Sequence, residues 1–217
     1  MRTKTTVKGR RTKRDAAGAL VYQLKITLLW SEPPIWRRVL MPATSTLGAL
    51  HYAIQDVMGW TNSHLHEFAI GDERYTLRMT PRDDVDASSK DANGISLQQA
   101  LTPGVERFVY IYDFGDSWEH LIEVEALLPA AAGQRCPACT AGARNCPPDD
   151  CGGMPGYEHF LEAYTNAKHP DHEDMREWAG DGFDPEHFDL KETNECLRHE
   201  RTRTLTEAQA ALLKRGR

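Results

Sequence analysis

Polar and apolar residues alternate from Tyr22 to Leu28, the period-two pattern of a strand with one buried face. Pro33-Pro34 interrupts it and Ile35–Leu40 resumes extended character, so a hairpin-like pair is expected. Thr44-Ser45-Thr46 then offers a helix start. Leu47, Leu50, Ile54, Val57 and Met58 share one helical face, and Gly59 supplies a stop. Strand character returns at His64–Ile70 and, past a Gly71-Asp72 turn, at Arg74–Met79. Residues 81–96 are polar and rich in turn formers, the signature of a surface loop. Arg107–Asp113 and Trp118–Glu125 are the clearest strands, and the four residues 114–117 between them fit a β-hairpin.

Beyond Pro129 the pattern changes. Residues 130–156 are dominated by Ala, Gly, Pro and Cys, and helical spacing follows at 157–167, 171–179 and 185–199. Asp184-Pro185 has the chemistry of a helix cap and first turn, and residues 206–215 suit a short terminal helix. The order of elements predicts an α+β domain with a mixed or mostly antiparallel sheet. One helix follows the first hairpin, and a Cys/Gly/Pro-rich loop leads to a helical C-terminal part. A length of 217 residues suits one such domain.

Charge divides the chain into unlike parts. Residues 1–14 hold seven Lys/Arg and no acid, and residues 198–217 hold six more against Glu200 and Glu207. That leaves 13 basic against 30 acidic residues for 15–197, a net charge of −17 beneath an overall −6. The expected organisation is a basic arm without fixed structure at 1–19, a folded body at 20–197 and a basic tail at 198–217. Such ends are solvated arms or contacts to nucleic acid, whereas the acidic body argues against a broad phosphate-binding face. No apolar run approaches the ~20 residues of a membrane span. The basic start has no apolar segment after it, so a cytoplasmic location is expected.

Four cysteines, Cys136, Cys139, Cys146 and Cys151, are spaced C-x2-C-x6-C-x4-C inside a loop (136–153) too small and polar to bury a core. In a reducing compartment this spacing points to a structural zinc ion. A disulfide or redox pair and unliganded thiols are the alternatives, and His120 or His159 could replace one cysteine. Cys196 stands apart on a predicted helix as a small core residue. A second constellation is His64-x-His66 with Asp113, Asp116 and His120. On a strand the two histidines share a face, and the hairpin tip adds two carboxylates and an imidazole. This set suits metal binding or general acid–base chemistry; turn chemistry and hydrogen-bonded histidines are the plainer reading. The segment His169–His172 also holds several potential ligands, and equally a capped helix start. No nucleotide-binding, zinc-protease, serine-hydrolase or kinase motif is present, Asp113-Phe-Gly notwithstanding.

Several stretches together resemble one family. They are Tyr22–Leu28, Pro33-Pro-Ile-Trp-Arg-Arg-Val39, Met58-Gly-Trp60, His64-Leu-His66-x-Phe68, Tyr112-Asp-Phe-Gly-Asp-x-Trp-x-His120 and Cys146-Pro-Pro-Asp-Asp-Cys-Gly-Gly153. With Gly156-Tyr157, Trp178 and Phe183-Asp-Pro185 they are similar to the plasmid pRiA4b ORF-3-like family over roughly 20–195. Some of its members carry the label of insertion-element passengers of "TnpR" type. The resemblance implies an α+β fold on a mixed or antiparallel sheet and an association with mobile elements. It implies no established chemistry. Resolvase activity is not supported, since none of the serines sits among arginines in a catalytic context. It places Cys139, Cys146 and Cys151 in the shared motif and leaves Cys136 outside, favouring three cysteines plus a histidine as the alternative ligand set. The expected function is binding, to protein or nucleic acid, by a domain with a structural zinc loop. The alternative is a metal-dependent hydrolase or nuclease using His64, His66, Asp113, Asp116 and His120.

Overall fold

The structure, a computed structural model, describes residues 19–77, 88–180 and 182–198. Strands β1 (Leu20–Leu28) and β2 (Ile35–Pro42) form the expected hairpin. Helix α1 (Leu47–Met58) begins where Thr46 accepts the Ala49 amide at 3.1 Å and ends on Gly59 in a left-handed conformation. Strands β3 (His66–Ile70), β4 (Glu73–Thr76) and β5 (Lys90–Asp91) follow, then the single turn α2 (Leu97–Ala100). β6 (Arg107–Tyr112) and β7 (Trp118–Pro129) make the second hairpin, and β8 (Ala138–Ala143) is the last strand. Helices α3 (Gly153–Thr165) and α4 (His172–Ala179) come next, and a further helix, α5, spans 190–198.

All eight strands lie in one mixed sheet of order β5-β4-β3-β6-β7-β1-β2-β8. Every neighbouring pair is antiparallel except β4 and β5. The fold is thus the α+β class read from the sequence. Strict alternation decides which face is buried. Leu24, Ile26, Leu28, Phe68, Tyr110, Trp118 and Ile122 are enclosed, and the apolar stripe of α1 (Leu47, Leu50, Ile54, Val57) is buried in the same core. Each such side chain contributes ~1.5–3 kcal/mol of burial, which holds α1 in place far more firmly than its intrinsic propensity.

Five elements depart from the sequence expectation. The strand expected over His64–Ile70 begins only at His66, and His64 lies in the bend before it. β5 and α2 arise in and just after the stretch read as a loop, and β8 arises inside the Cys/Gly/Pro-rich loop. The sequence Ala-Cys-Thr-Ala-Gly-Ala of β8 has no periodicity of its own. It is extended because β2 offers it a free edge, with Trp36 opposite Ala143 and Val39 opposite Cys139. On its outer side Asn194 donates to the Cys139 carbonyl at 2.9 Å and accepts its amide at 3.0 Å, so a side chain occupies the strand's open edge. The last predicted helix starts at 190, not at 185. The predicted strand end at Met79, the terminal helix 206–215 and most of both basic ends lie outside the described residues.

Candidate metal centre

Three segments remote in sequence meet at one end of the sheet. The first is the loop after α1. Trp60 packs on Tyr112 and Trp118, with ring centroids 4.9 and 6.1 Å away, and its Nε1 donates to the Pro147 carbonyl at 3.1 Å. Asn62 adopts a left-handed backbone (φ 56°), its amide donating to Gln55 Oε1 and its Oδ1 lying 2.7 Å from His51 Nε2. The second segment is the β6–β7 hairpin tip, where Asp113 and Ser117 have φ of 55° and 54°. Asp113 Oδ1 accepts the Gly115 amide at 2.9 Å, and its carbonyl accepts that of Ser117 at 2.6 Å.

The third segment is Cys146–Gly153. Asp149 Oδ2 accepts both the amide and the hydroxyl of Thr61, at 3.2 and 2.8 Å. The Gly152 amide donates to Asp116 Oδ2 at 3.0 Å, and Asp150 is left-handed with φ 61°. Gly153 sits so close to the hairpin that a Cβ there would stand 2.5 Å from the Asp116 carbonyl oxygen. Only glycine allows the loop to dock at that point. The convergence brings His64, Asp113 and Asp150 together, with one ligand atom from each within 4.8 Å of the others. His64 Nδ1 lies 3.6 Å from Asp113 Oδ2 and Nε2 lies 3.2 Å from Asp150 Oδ1. The second approach is close but not aligned as a hydrogen bond, so Nε2 remains without a hydrogen-bond partner.

Two carboxylates (Asp113, Asp150) thus flank one imidazole, and Asp116 and Asp149 lie on the same converging segments, tied to Gly152 and Thr61. Among the described residues, no Lys or Arg forms an ion pair with any of them within 4 Å. Like charges so arranged repel, and non-glycine residues in the left-handed region cost ~1–3 kcal/mol each. A hard or borderline divalent cation suits this donor set, since carboxylates and one imidazole are ligands of Mn²⁺ and Zn²⁺ alike.

The sequence constellation therefore divides. His64 and Asp113 belong to the group, and Asp116 stands beside it, tied to Gly152. His66 and His120 do not, because both point into the core. His66 stacks on His51 with centroids 3.5 Å apart, and His120 Nδ1 lies 3.3 Å from the Tyr110 carbonyl. Burial pushes His51 and His120 down to about 4, and burial together with neighbouring His51 pushes His66 to about 2. Asp150 was missed among the site residues; Pro147-Pro-Asp-Asp150 was its only trace in the sequence.

The cysteine loop does not assemble a cage of thiols. No three ligand atoms that include a cysteine sulfur lie within 4.8 Å of one another among the described residues, and none of the five cysteines is in a disulfide. Cys139 Sγ donates to the Ala141 carbonyl at 3.4 Å, and Cys146 Sγ lies 3.1 Å from Met58 Sδ, while Cys136 is half-buried near the start of β8. Burial raises the Cys146 thiol to about 11. Burial and the adjacent Asp116 raise Cys151 to about 12. His120 is enclosed in the core, and His159 stands on α3 beside His169 and Asp171. Cys196 is exposed.

Fold and site together define a single α+β domain on an open eight-stranded sheet, with a carboxylate–imidazole corner at one end. The chain belongs to the plasmid pRiA4b ORF-3-like protein family, which matches residues 20–192. The uncharacterized protein y4hQ of Sinorhizobium fredii (strain NBRC 101917 / NGR234) is 42% identical over 163 residues, covering 75% of this chain and 82% of that protein. A crystal structure of a protein of unknown function, MM3350 from Methanosarcina mazei Go1, has the same fold. It superimposes with a TM-score of 0.73 at 36% identity, covering 80% of this chain and 97% of that one. No helix among the described residues is long and apolar enough to cross a membrane.

Proposed function

We propose that this protein binds a divalent cation through His64, Asp113 and Asp150 and uses the cation's open positions to hold an oxygen ligand of a partner molecule. The observation that carries this reading is the convergence of three ligand atoms from separate segments, at a corner where, among the described residues, no Lys or Arg pairs with the carboxylates. Asp150 is largely exposed while Asp113 is nearly enclosed, so the bound ion faces solvent on one side. The test is calorimetric titration of the metal-stripped full chain with Mn²⁺. One equivalent should bind, and Asp113→Asn should weaken it at least tenfold; equal affinity in the variant refutes the assignment.

Metal-assisted hydrolysis is the second reading, favoured by Asp149. Its Oδ1 is buried without a hydrogen-bond partner, which suits a base that takes a proton from metal-bound water. Asp149→Asn should then abolish Mn²⁺-dependent cleavage of a phosphodiester while leaving Mn²⁺ affinity unchanged. If wild-type protein cleaves no such ester, the site binds only. The five cysteines without disulfides accord with a cytoplasmic protein. The basic ends offer an electrostatic contact to a nucleic-acid partner of a mobile-element protein. A zinc ion in the cysteine loop would require the loop to rearrange, since among the described residues its sulfurs do not converge.

A further inference from the structure

We propose that His159, His169 and Asp171 form a second metal site, selective for zinc, that staples α3 to α4. The three supply ligand atoms within 4.8 Å of one another. His159 stands on α3, His169 in the turn after it, and Asp171 caps α4. His159 Nε2 is 3.2 Å from Asp171 Oδ2, His169 Nδ1 is 3.9 Å from the same oxygen, and the two imidazoles meet edge to face at 5.4 Å. Around a tetrahedral zinc with bonds of ~2.0–2.1 Å, neighbouring ligand atoms stand ~3.3 Å apart. The His159–Asp171 edge already has that length, and the His169–Asp171 edge closes with a small rotation of the His169 ring.

The turn that carries these groups is ordered by bonds that need no metal. The His169 amide donates to the Asn166 carbonyl at 2.8 Å, the His172 amide to the His169 carbonyl at 3.1 Å, and His172 Nδ1 to the Ala163 carbonyl at 2.8 Å. His169 Nδ1 accepts the Asp171 amide at 3.2 Å. Zinc at that nitrogen displaces an amide held at the long end of hydrogen-bond range. Local charge favours a cation as well: residues 157–179 hold six acids against Lys168 and Arg176. Two imidazoles and one carboxylate match zinc, whereas the His64 corner, with its excess of carboxylates, also takes harder ions. His159 and Asp171 are half-exposed, so the fourth position opens to water. The benefit falls on α4, an eight-residue helix whose only buried side chain is His172.

The test uses the full metal-stripped chain, titrated with ZnCl₂ by calorimetry, with the histidine ring nitrogens followed by NMR. His159→Gln/His169→Gln should bind one zinc fewer than wild type and lose part of the zinc-dependent rise in melting temperature. Its metal-free melting temperature serves as the check that it folds, and Asp171→Asn, which removes the charge at the N-cap position of α4, is the second variant. In a His64→Gln/Asp113→Asn background the site should persist, with only the His159 and His169 rings shifting. Unchanged zinc stoichiometry in both α3–α4 variants, or ring shifts confined to other histidines, overturns the proposal.

Discussion

Arg37 Nε donates to the Val57 carbonyl at 2.8 Å, so a cation from β2 closes the last turn of α1. The same guanidinium reaches the Trp36, Ala143 and Arg144 carbonyls at 2.8–2.9 Å and lies 4.7 Å over the Phe188 ring. It is almost wholly buried, and every oxygen it binds is a main-chain carbonyl. The helix end carries partial negative charge, and the planar fork satisfies acceptors from three segments at once.

Removing that cation should cost more than any surface change. Arg37→Ala leaves several buried carbonyls unpaired, and we expect a loss of ~3 kcal/mol or more of folding free energy. Arg37→Lys should recover only part of it, because an ammonium cannot reach the same set of oxygens. Urea denaturation monitored by tryptophan fluorescence measures both, and a loss below ~1 kcal/mol for Arg37→Ala refutes the keystone role.

Acid should unfold the domain through its interior histidines. His51 and His120 are pushed down to about 4 by burial, so the folded protein holds them neutral where the unfolded chain, near 6.5, takes up protons. The stability they confer is complete above pH 6.5 and is lost progressively as the pH falls towards 4. Full loss amounts to ~3 kcal/mol for each. The denaturation midpoint should fall steeply between pH 6.5 and 4, and His120→Gln should flatten that slope. A midpoint constant over this window contradicts the assignment.

The metal corner should trade stability for function. Asp150→Asn removes one like charge and places asparagine, which tolerates the left-handed backbone better, at φ 61°. The metal-free variant should be as stable as wild type or up to ~1 kcal/mol more stable, while Mn²⁺ binds at least tenfold more weakly. Thermal melts with and without Mn²⁺ read both effects, and a variant less stable without metal speaks against a strained, repulsive site.

Asn194 guards an edge. Asn194→Ala removes a side chain bonded to both main-chain groups of Cys139. The expected cost is ~1 kcal/mol, with concentration-dependent association through β8 detectable by light scattering. Unchanged scattering after prolonged incubation would show that the edge is protected by other means.

What the sequence made legible was what carries its own local signal. β1, β2, β6, β7 and α1 announce themselves by period and by Thr46 and Gly59. β8 does not, because alanine, glycine and threonine acquire strand geometry only from the β2 edge. His64 and Asp113 were visible as ligand types. His66 parts from His64 because sharing a face requires both residues in the strand, and His64 stands in the bend before it. Asp150 stands on a left-handed backbone in a loop whose Gly152 docks on Asp116, a long-range contact that no local residue pattern encodes. The α3–α4 site was half visible: His169 and Asp171 read as ligands or as a helix start, and α3 brings His159 alongside.

The central position of β1 has a consequence for how the chain comes to be folded. Leu24 pairs with Val124, a hundred residues further on, while its other neighbour, β2, is only a few residues away. During synthesis the first hairpin therefore emerges with both outer rows of main-chain groups uncovered. The β1 row waits until β7 has left the ribosome, and the β2 row until β8 follows. Sheet closure is slow for such distant pairings, and an uncovered strand edge invites pairing with another chain. A nascent or truncated chain ending before Pro129 is exposed to aggregation by its topology, and the interval of risk narrows when the seventh strand arrives and ends with the eighth.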